Sequence, residues 1–342
     1  MKAIVQDAYG TADAMRFDPD VERPVPGDDD VLVRVRAAGV DAGVCHLMTG
    51  TPYPVRLMGY GLRRPGQRVP GMDLAGTAEQ VGAKVTRLRP GDEVFGVGKG
   101  AFAEYACAPQ ATLAPKPPSL SFEQAAALPV SGLTALQALR DVGRLAAGQR
   151  VLVIGASGGV GSYAVQLAKA YGADVTGVCG TAKADLVRSL GADRVIDYTR
   201  EDIAGGAGAG DGAPRRYDLV LDLAGGRPVS RLRTVLAPRG TLVLVGDETG
   251  GRWTGGMGRL LGAALLSPFV GQRLRPMVAV PRYEDLLVLA EFVGAGLVTP
   301  ALDRTYPLRE APEAVRSLAE HRVRGKSVVT VGPAAAAGEA LP

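Results

Sequence analysis

The stretch Arg150–Lys169, with the sequence RVLVIGASGGVGSYAVQLAK, decides the fold of this chain. It begins with a run of apolar residues, Val151–Ile154, which is typical of a strand buried on both faces of a parallel sheet. A glycine-rich turn follows, and apolar residues then recur at helical spacing up to Tyr171, which predicts a helix that begins near Gly159. Strand, glycine turn and helix in this order form a unit that binds dinucleotides, because backbone N–H groups and the helix dipole attract a pyrophosphate.

The turn departs once from the glycine pattern G-x-G-x-x-G. Ala156 stands at the first glycine position, and Gly158 and Gly161 fill the other two. A further predicted strand, Asp174 to Cys179, follows the helix, which is the context that the pattern requires. The alternative interpretation is an ordinary tight turn in an α/β protein.

Composition and charge exclude several classes of protein. The chain has 342 residues, of which 46% are hydrophobic, so it has room for two domains with a large core. Its 39 basic and 35 acidic residues give a net charge of +4, which is too balanced for a dedicated nucleic-acid binder. The three cysteines form no C-x-x-C pair and the first residues lack a signal-peptide core, so we expect a reducing, cytoplasmic location. We expect no membrane partner, because the apolar stretch Leu260–Val270 is too short to span one.

The pattern of strands and helices divides the chain into three parts, residues 1–122, 123–281 and 282–342. The first part is rich in short strands separated by Pro and Gly turns, which suggests a barrel or sandwich. The second part alternates strands and helices and predicts a doubly wound parallel sheet. Among the strands expected are Val31–Arg36, Gly76–Val81, Glu93–Gly96 and Phe102–Ala106 in the first part, Met277–Val280 at the end of the second, and Ser327–Val331 in the third. We expect Ala204–Gly212 to be a flexible loop and the tail Ala334–Pro342 to be disordered.

Five blocks of sequence resemble, in this order, the zinc-independent, quinone oxidoreductase-like branch of the medium-chain dehydrogenases/reductases. They are Gly91–Gly96, Gly100–Tyr105, Ala126–Ala135, the glycine turn, and Ser189–Tyr198. The resemblance covers nearly the whole chain. It implies a GroES-like β-barrel catalytic domain built from both chain ends, with a Rossmann cofactor domain inserted between them.

The residues that would bind catalytic zinc in the zinc-dependent branch are replaced here. Asp41 stands where that branch has a Cys ligand, and Gly71-Met72-Asp73 stands for its Gly-His-Glu motif. The pair Cys45-His46 lies beyond the ligand position, and adjacent side chains rarely bind one ion. We therefore predict no metal ion.

The end of the second strand of the dinucleotide unit bears on the choice between NADH and NADPH. An NAD site usually places Asp or Glu there, and near Cys179-Gly180 the sequence has no acid. Thr181 and Lys183 follow directly and suit a 2′-phosphate, although Lys183 could instead be a solvated helix residue. We predict NADPH. The resemblance adds Tyr198 as a phosphate contact, and the cofactor contacts that we predict besides these are Thr134, Ser157, Gly158, Gly159, Val160, Gly161, Gly246 and Phe269.

Without a metal ion, a hydrogen-bond donor is needed for the negative charge that develops on a carbonyl oxygen. The segment Met48–Pro54 resembles the Gly-x-Tyr-Pro loop of quinone and enoyl reductases, so Tyr53 is the candidate catalytic and substrate-binding residue. The alternative is that Tyr53 only lines the pocket. Asp41 is a second candidate substrate contact, where the family has Asn, and Val44 replaces the family's Asp. The segment Val55–Val69 is longer than in typical relatives, which suggests a lid near the substrate.

These observations favour an NADPH-dependent reductase of quinones or other α,β-unsaturated carbonyls. Two alternatives stay open, a reductase of simple ketones or aldehydes and a non-enzymatic NADPH-binding protein, because a fold alone does not choose among them. We also expect a homodimer. The apolar stretch Leu260–Val270 precedes the last predicted strand of the sheet, where relatives often pair subunits, and exposed apolar patches mark interfaces.

Overall fold

The computed structural model describes residues 1–203, 215–245, 251, 253 and 255–332, without the side chains of residues 58 and 59. Three of the predictions therefore lie outside the described residues. They are the flexible loop Ala204–Gly212, the disordered tail Ala334–Pro342, and the cofactor contact Gly246.

Short strands make up the first part of the chain, as its alternating pattern predicts. In the long third strand Val31, Val33 and Val35 are buried whereas Arg34 and Arg36 are exposed, so one face of the strand lies on the core. The strands are β1 (Ala3–Gln6), β2 (Met15–Asp18), β3 (Asp30–Val40), β4 (Asp73–Val81), β5 (Glu93–Val97), β6 (Tyr105–Pro109) and β7 (Leu113–Pro115). The helix α1 (Ala42–Thr49) follows β3, and a π-helical turn (Arg56–Tyr60) precedes β4.

The strand expected over Phe102–Ala106 is displaced towards the C-terminus. The ladder with β3 begins only at Tyr105, which pairs with Arg34. Phe102 is fully buried, its N–H donates to the Pro70 carbonyl, and its carbonyl accepts from Ile4 N–H. Its backbone groups are thus bonded to two other segments, so the residue fills the core without joining the ladder.

The middle part of the chain forms a parallel sheet with the strand order β10-β9-β8-β11-β12-β13. The glycine turn follows β8, and the neighbours of β8 in the sheet are β9 and β11. Two helices lead into this part, α2 (Phe122–Ala127), which is capped by Ser121, and α3 (Pro129–Gln137). The strands are β8 (Arg150–Ile154), β9 (Asp174–Cys179), β10 (Arg194–Asp197), β11 (Tyr217–Asp222), β12 (Leu236–Leu244) and β13 (Arg273–Pro276), and the helices are α4 (Gly159–Ala170), α5 (Ala184–Ser189), α6 (Val229–Thr234) and α7 (Met257–Leu266).

The last strand of this sheet is not the predicted apolar run Met277–Val280. The paired part of β12 ends at Leu244, which lies opposite Pro276, so the apolar run lies past the end of its neighbour. Val278 is 86% exposed. Within β13, Leu274 is the buried residue. Apolar character therefore misplaced a strand whose position is set by its partner.

The last part of the chain returns to the first. It contains α8 (Tyr283–Gly294), β14 (Leu302–Pro307), α9 (Ala311–Ala319) and β15 (Lys326–Thr330). β15 pairs antiparallel with β3, and β14 pairs with β15. A GroES-like domain is thus built from both chain ends, and the Rossmann-type sheet is inserted in it. Among the described residues, no helix combines the length and apolar character needed to span a membrane.

Candidate active site

The glycine turn after β8 has a backbone that tolerates no side chain at Gly161. A Cβ there would lie 2.1 Å from the Gly155 carbonyl oxygen and 2.7 Å from Ala156 Cα. Gly155 has a φ of 86°, and Gly158 precedes the first residue of α4 as its N-cap. The turn therefore brings the N-terminus of α4, with its free N–H groups, close to the carboxyl edge of the sheet.

Alanine is accommodated at the first glycine position of the pattern because glycine stands opposite. A Cβ at Gly177 on β9 would lie 3.0 Å from the Ala156 methyl group and 2.4 Å from a methyl of Val187. Ala156 is fully buried. The departure from the usual pattern is thus compensated in the neighbouring strand, and the turn keeps its form.

Two carboxylates and a lysine, which we call the carboxylate–lysine cluster (Asp41, Asp73 and Lys326), lie buried beneath this turn. The Lys326 ammonium donates to Asp73 at 3.2 Å, and Val130 N–H donates to the other Asp73 oxygen at 2.9 Å. A Cβ at Gly159 would lie 3.0 Å from Lys326 Cδ, so the lysine stem is in contact with the first turn of α4. The cluster therefore joins β4, β15 and the cofactor turn.

Asp41 caps α1 and leaves one oxygen without a partner. Its Oδ1 accepts from Val44 N–H at 3.3 Å, while Oδ2 is buried and makes no hydrogen bond within the described part of the chain. Burial raises the pKa of Asp41, and the nearby Lys326 opposes that shift. Burial likewise raises the pKa of Asp73 to about 7, again against the charge of Lys326. The cluster can therefore hold or release a proton near neutral pH.

The donor set at the zinc-ligand positions does not fit a zinc ion. The Met72 methyl group and Asp41 Oδ1 both face Gly43, at 2.5 and 2.8 Å from where its Cβ would be, so a thioether methyl replaces the imidazole. The Asp73 carboxylate is bound by an ammonium group. Over the described residues no group of three or more His, Cys, Asp and Glu could hold a metal ion. His46 Nδ1 lies 3.1 Å from the Thr51 carbonyl oxygen.

An aspartate lies at the strand end near Cys179-Gly180, although it is distant from these residues in the sequence. Asp197 ends the neighbouring strand β10 and pairs in register with Cys179. Its carboxylate accepts from the hydroxyls of Thr181 and Thr199, and these bonds hold its pKa below the usual range. Neighbouring strands of a parallel sheet end at the same edge. The Asp that ends the predicted strand in the block Ser189–Tyr198 could therefore have been expected near Cys179.

Lys183 lies against the last part of the chain and not in open solvent. Its ammonium donates to the carbonyls of His321 and Val323 at 3.0 and 2.7 Å. Burial lowers its pKa, and the nearby Asp303 opposes that shift. Together with the bond from Gly325 N–H to the Ser157 carbonyl, at 2.9 Å, this contact joins both cofactor segments to the C-terminal part.

The remaining predicted cofactor residues fall into two groups. Tyr198 lies beside Gly180, because a Cβ at Gly180 would be 3.5 Å from the Tyr198 hydroxyl, and Ser157 and Val160 lie in the glycine turn. Thr134 is buried and its hydroxyl donates to the Val130 carbonyl inside α3.

The structure does not bring Phe269, a further predicted cofactor contact, together with the glycine turn. Phe269 precedes β13 and lies at the amino edge of the parallel sheet, where the neighbouring Gln272 donates to the Ala237 carbonyl. The glycine turn follows β8 at the opposite, carboxyl edge. Phe269 is 86% exposed at the first of these edges, which the sequence did not reveal because β13 was assigned to the wrong residues.

Tyr53 lies in the loop between α1 and the π-helical turn. Its ring packs edge-on against Trp253 with centroids 5.2 Å apart, and the Arg56 guanidinium lies 4.8 Å from its centroid. Its hydroxyl makes no hydrogen bond to any residue that the structure describes, so it is available to a ligand. Tyr53 and Trp253 come from different domains, which is why the sequence did not bring them together. The segment Val55–Val69, which follows Tyr53, is bonded back to the barrel through the Tyr9 hydroxyl, which donates to the Tyr60 carbonyl at 2.9 Å.

Comparison with known protein families gives two matches. Residues 27–118 match the alcohol dehydrogenase GroES-like domain, and residues 190–329 match the zinc-binding dehydrogenase family. The first match covers strands β3–β7, and the second covers the last strands of the inserted sheet and the return to the barrel.

Whole-chain relatives have quinone and nicotinamide chemistry in their names. The chain is 31% identical to a chloroplast envelope quinone oxidoreductase homolog of Arabidopsis thaliana, over 96% of this chain and 98% of that one. It is 33% identical to the mitochondrial NAD(P)H oxidoreductase RTN4IP1 of Mus musculus, over 97% and 89%. Its fold matches the Escherichia coli quinone oxidoreductase complexed with NADPH with a TM-score of 0.81 at 25% identity, over 97% and 100% of the two chains.

Proposed function

The chain belongs to the medium-chain dehydrogenase/reductase family as an NAD(P)H-dependent oxidoreductase, and we propose that it reduces quinones or other α,β-unsaturated carbonyls with NADPH and without a metal ion. The observation that supports this proposal is the carboxylate–lysine cluster, which lies beneath the cofactor turn and includes Asp41 at the position of a zinc-ligating cysteine. A Lewis acid is replaced there by groups that hold a proton. Conjugated carbonyls suit such a site, because hydride addition to them leaves an enolate that needs a hydrogen bond and a proton.

NADPH is favoured over NADH by the balance of charge at the end of β9. Lys183 lies there, with Arg324 close enough to lower its pKa further. The opposing charge of Asp197 is taken up by the two threonine hydroxyls and by Arg200 at 3.6 Å. When bound, NADPH supplies the hydride.

The residues of this chain then have separate tasks. The free Tyr53 hydroxyl donates a hydrogen bond to the carbonyl oxygen of the substrate, an interaction that strengthens as negative charge develops there. Asp41 is the member of the cluster that has a buried carboxylate oxygen without a hydrogen-bond partner, and the cluster holds the proton. The Gly161 turn orients the pyrophosphate on α4.

The outer edge of the Rossmann-type sheet offers an apolar surface on which a second copy of the chain could pack. β13 is the edge strand, and α7 beside it presents an exposed apolar row of Met257, Leu261 and Leu265. Arg259 on α7 is bonded to the buried Asp222 at the end of β11, which holds this row outward. We propose a homodimer through this face. Leu261→Glu should yield monomers in equilibrium sedimentation, and a wild-type protein that is monomeric at micromolar concentration would contradict the proposal.

We also propose a cytoplasmic location, as for a reducing compartment. No disulfide bond joins any two of the three cysteines. We likewise propose domain boundaries at residues 122/123 and 281/282. Fractionation of cells that express the tagged chain tests the location, and limited proteolysis tests the boundaries.

One assay series tests the proposed reaction against its alternatives. NADPH oxidation is followed with a quinone, with an enone and with a plain ketone, each with and without a chelator. We expect the quinone and the enone to react and the chelator to have no effect. A ketone that reacts best would favour the alcohol dehydrogenase-like alternative. Binding of NADPH without reaction of any acceptor would identify a non-enzymatic NADPH-binding protein.

A further inference from the structure

A row of four side chains in contact, Tyr9, Arg56, Tyr53 and Trp253, connects the first loop of the chain to the Rossmann domain. The Arg56 guanidinium lies 4.2 Å from the ring centroid of Tyr9 and 4.8 Å from that of Tyr53. The Tyr53 ring in turn meets Trp253 edge-on, with an interplanar angle of 87°. Arg56 is fixed by its own bond from Nε to the Gly50 carbonyl at 2.8 Å. The Tyr53 ring is therefore in contact with both a cation and an indole.

Trp253 is the exposed member of this row. It is the only tryptophan of the chain and is 78% exposed, although large aromatic side chains are normally buried. The contact between Gly255 and Pro52, at 2.8 Å from where a Gly255 Cβ would lie, already brings its segment against the Tyr53 loop. The Trp253 indole is thus largely accessible while it contacts the ring whose hydroxyl we assign to the substrate oxygen.

We propose that the exposed Trp253 indole, set perpendicular to the Tyr53 ring, is an aromatic platform on which the planar ring of the acceptor stacks, and that it makes the protein select fused-ring quinones over small aliphatic enones. This inference rests on the proposed function, since it assigns the substrate class of the same site. Ring stacking is sensitive to the area and planarity of the ligand, and a fused quinone ring offers both. A short enone can reach the Tyr53 hydroxyl but has no ring to stack.

The kinetic test separates stacking from a merely structural role of the indole. Trp253→Leu removes the aromatic face and Trp253→Phe keeps part of it, and both are assayed with 2-methyl-1,4-naphthoquinone and with methyl vinyl ketone. We expect Trp253→Leu to raise KM for the naphthoquinone about tenfold at unchanged kcat, with Trp253→Phe between it and the wild type. KM for methyl vinyl ketone and for NADPH should not change. Equal changes for both acceptors, or none for the naphthoquinone, would overturn the platform.

A binding measurement keeps the inference apart from the proposed reaction. Because Trp253 is the sole tryptophan, its fluorescence reports this position alone. We expect saturable quenching by the naphthoquinone and none by methyl vinyl ketone, in the absence of NADPH. Saturable quenching without turnover would refute the proposed reaction and support the platform, whereas turnover without quenching would do the opposite. Val25→Ala removes another highly exposed apolar side chain, at 85% exposure, and should change none of these values.

Discussion

The two sides of the site are built by different means. On the cofactor side the glycine turn is set by backbone contacts, such as the 2.1 Å that would separate a Gly161 Cβ from the Gly155 carbonyl oxygen. On the side that we propose for the substrate, Tyr53 and Trp253 are positioned by contacts between side chains of two domains, and Trp253 is largely exposed. A site fixed by its backbone allows few substitutions, whereas a side built from exposed side chains can change its substrate without disturbing the fold. The experiments below test that difference.

The largest effect is expected where the backbone leaves no room. Gly161→Val should abolish NADPH binding, because the new side chain would overlap the Gly155 carbonyl and push α4 away from the turn. Fluorescence titration with NADPH measures the loss, and circular dichroism checks that the variant folds. Gly294→Ala in α8, where a Cβ meets nothing within 4 Å, is the matched control. A folded Gly161→Val protein with the wild-type Kd would refute the steric account.

The next effect concerns the cluster beneath the turn. Lys326→Met should lower the free energy of unfolding by about 3–5 kcal/mol, because it leaves the buried Asp73 without its cation. Urea unfolding measures the change. Lys84→Met breaks the exposed pair with Asp28 and should cost under about 1 kcal/mol. Equal losses in the two variants would mean that burial of the pair is irrelevant.

On the substrate side, Tyr53→Phe removes the hydroxyl and keeps the ring. It should lower kcat and kcat/KM for an enone together, by about 10²-fold, as for the loss of one hydrogen bond to a developing oxyanion. The assay uses an enone for which a deuterium isotope effect shows that hydride transfer is rate-limiting. An unchanged kcat would leave Tyr53 as a wall of the pocket.

A smaller effect is expected at the end of β9. Lys183→Ala should weaken NADPH about tenfold, or about 1.4 kcal/mol, and leave NADH nearly unchanged. NADH serves as the internal control. If the variant acted only through its lost bonds to the His321 and Val323 carbonyls, it would weaken both cofactors equally. If Asp197→Asn weakens NADH while NADPH is unaffected, the acid of β10 holds the ribose. Equal losses of both cofactors in Lys183→Ala would remove the selectivity.

The last prediction is a slope. Since burial raises the pKa of Asp73 from 3.8 to about 7, the folded protein binds this proton more tightly than the unfolded chain. The stability that this proton contributes is full below pH 4 and is lost as the pH rises to about 7. In Asp73→Asn/Lys326→Met the free energy of unfolding should therefore fall less steeply over this range. Parallel curves for the double variant and the wild type would contradict the raised pKa.

Local rules predicted the cofactor side well. The run Val151–Ile154 is a buried strand, α4 begins at Gly159, and Ser121 caps α2. These features depend on residues within a few positions of one another, where burial, glycine geometry and capping act directly. The GroES-like barrel with an inserted sheet followed from the resemblance, and the pairing of β15 with β3 agrees with it.

What the sequence did not reveal depends on distant partners. Asp73 and Lys326 are joined across 253 positions, and Asp197 reaches Thr181 only because β10 lies beside β9. The strand β13 was misplaced because an edge strand follows the register of β12 and not its own apolar content. Trp253 gave no pattern at all, since a single exposed residue has no periodicity.

The bond between Lys326 and Asp73 also has a consequence for the order of events during synthesis. The Rossmann-type sheet is complete at Pro276, but Lys326 and the carbonyls that hold Lys183 are translated later. The glycine turn of a nascent chain is therefore synthesised before Lys326, the lysine beneath that turn. Asp73 is without its cation until this residue has been added. Tight cofactor capture becomes a late step of biogenesis, and a bound cofactor should protect the closing C-terminal segment against proteases.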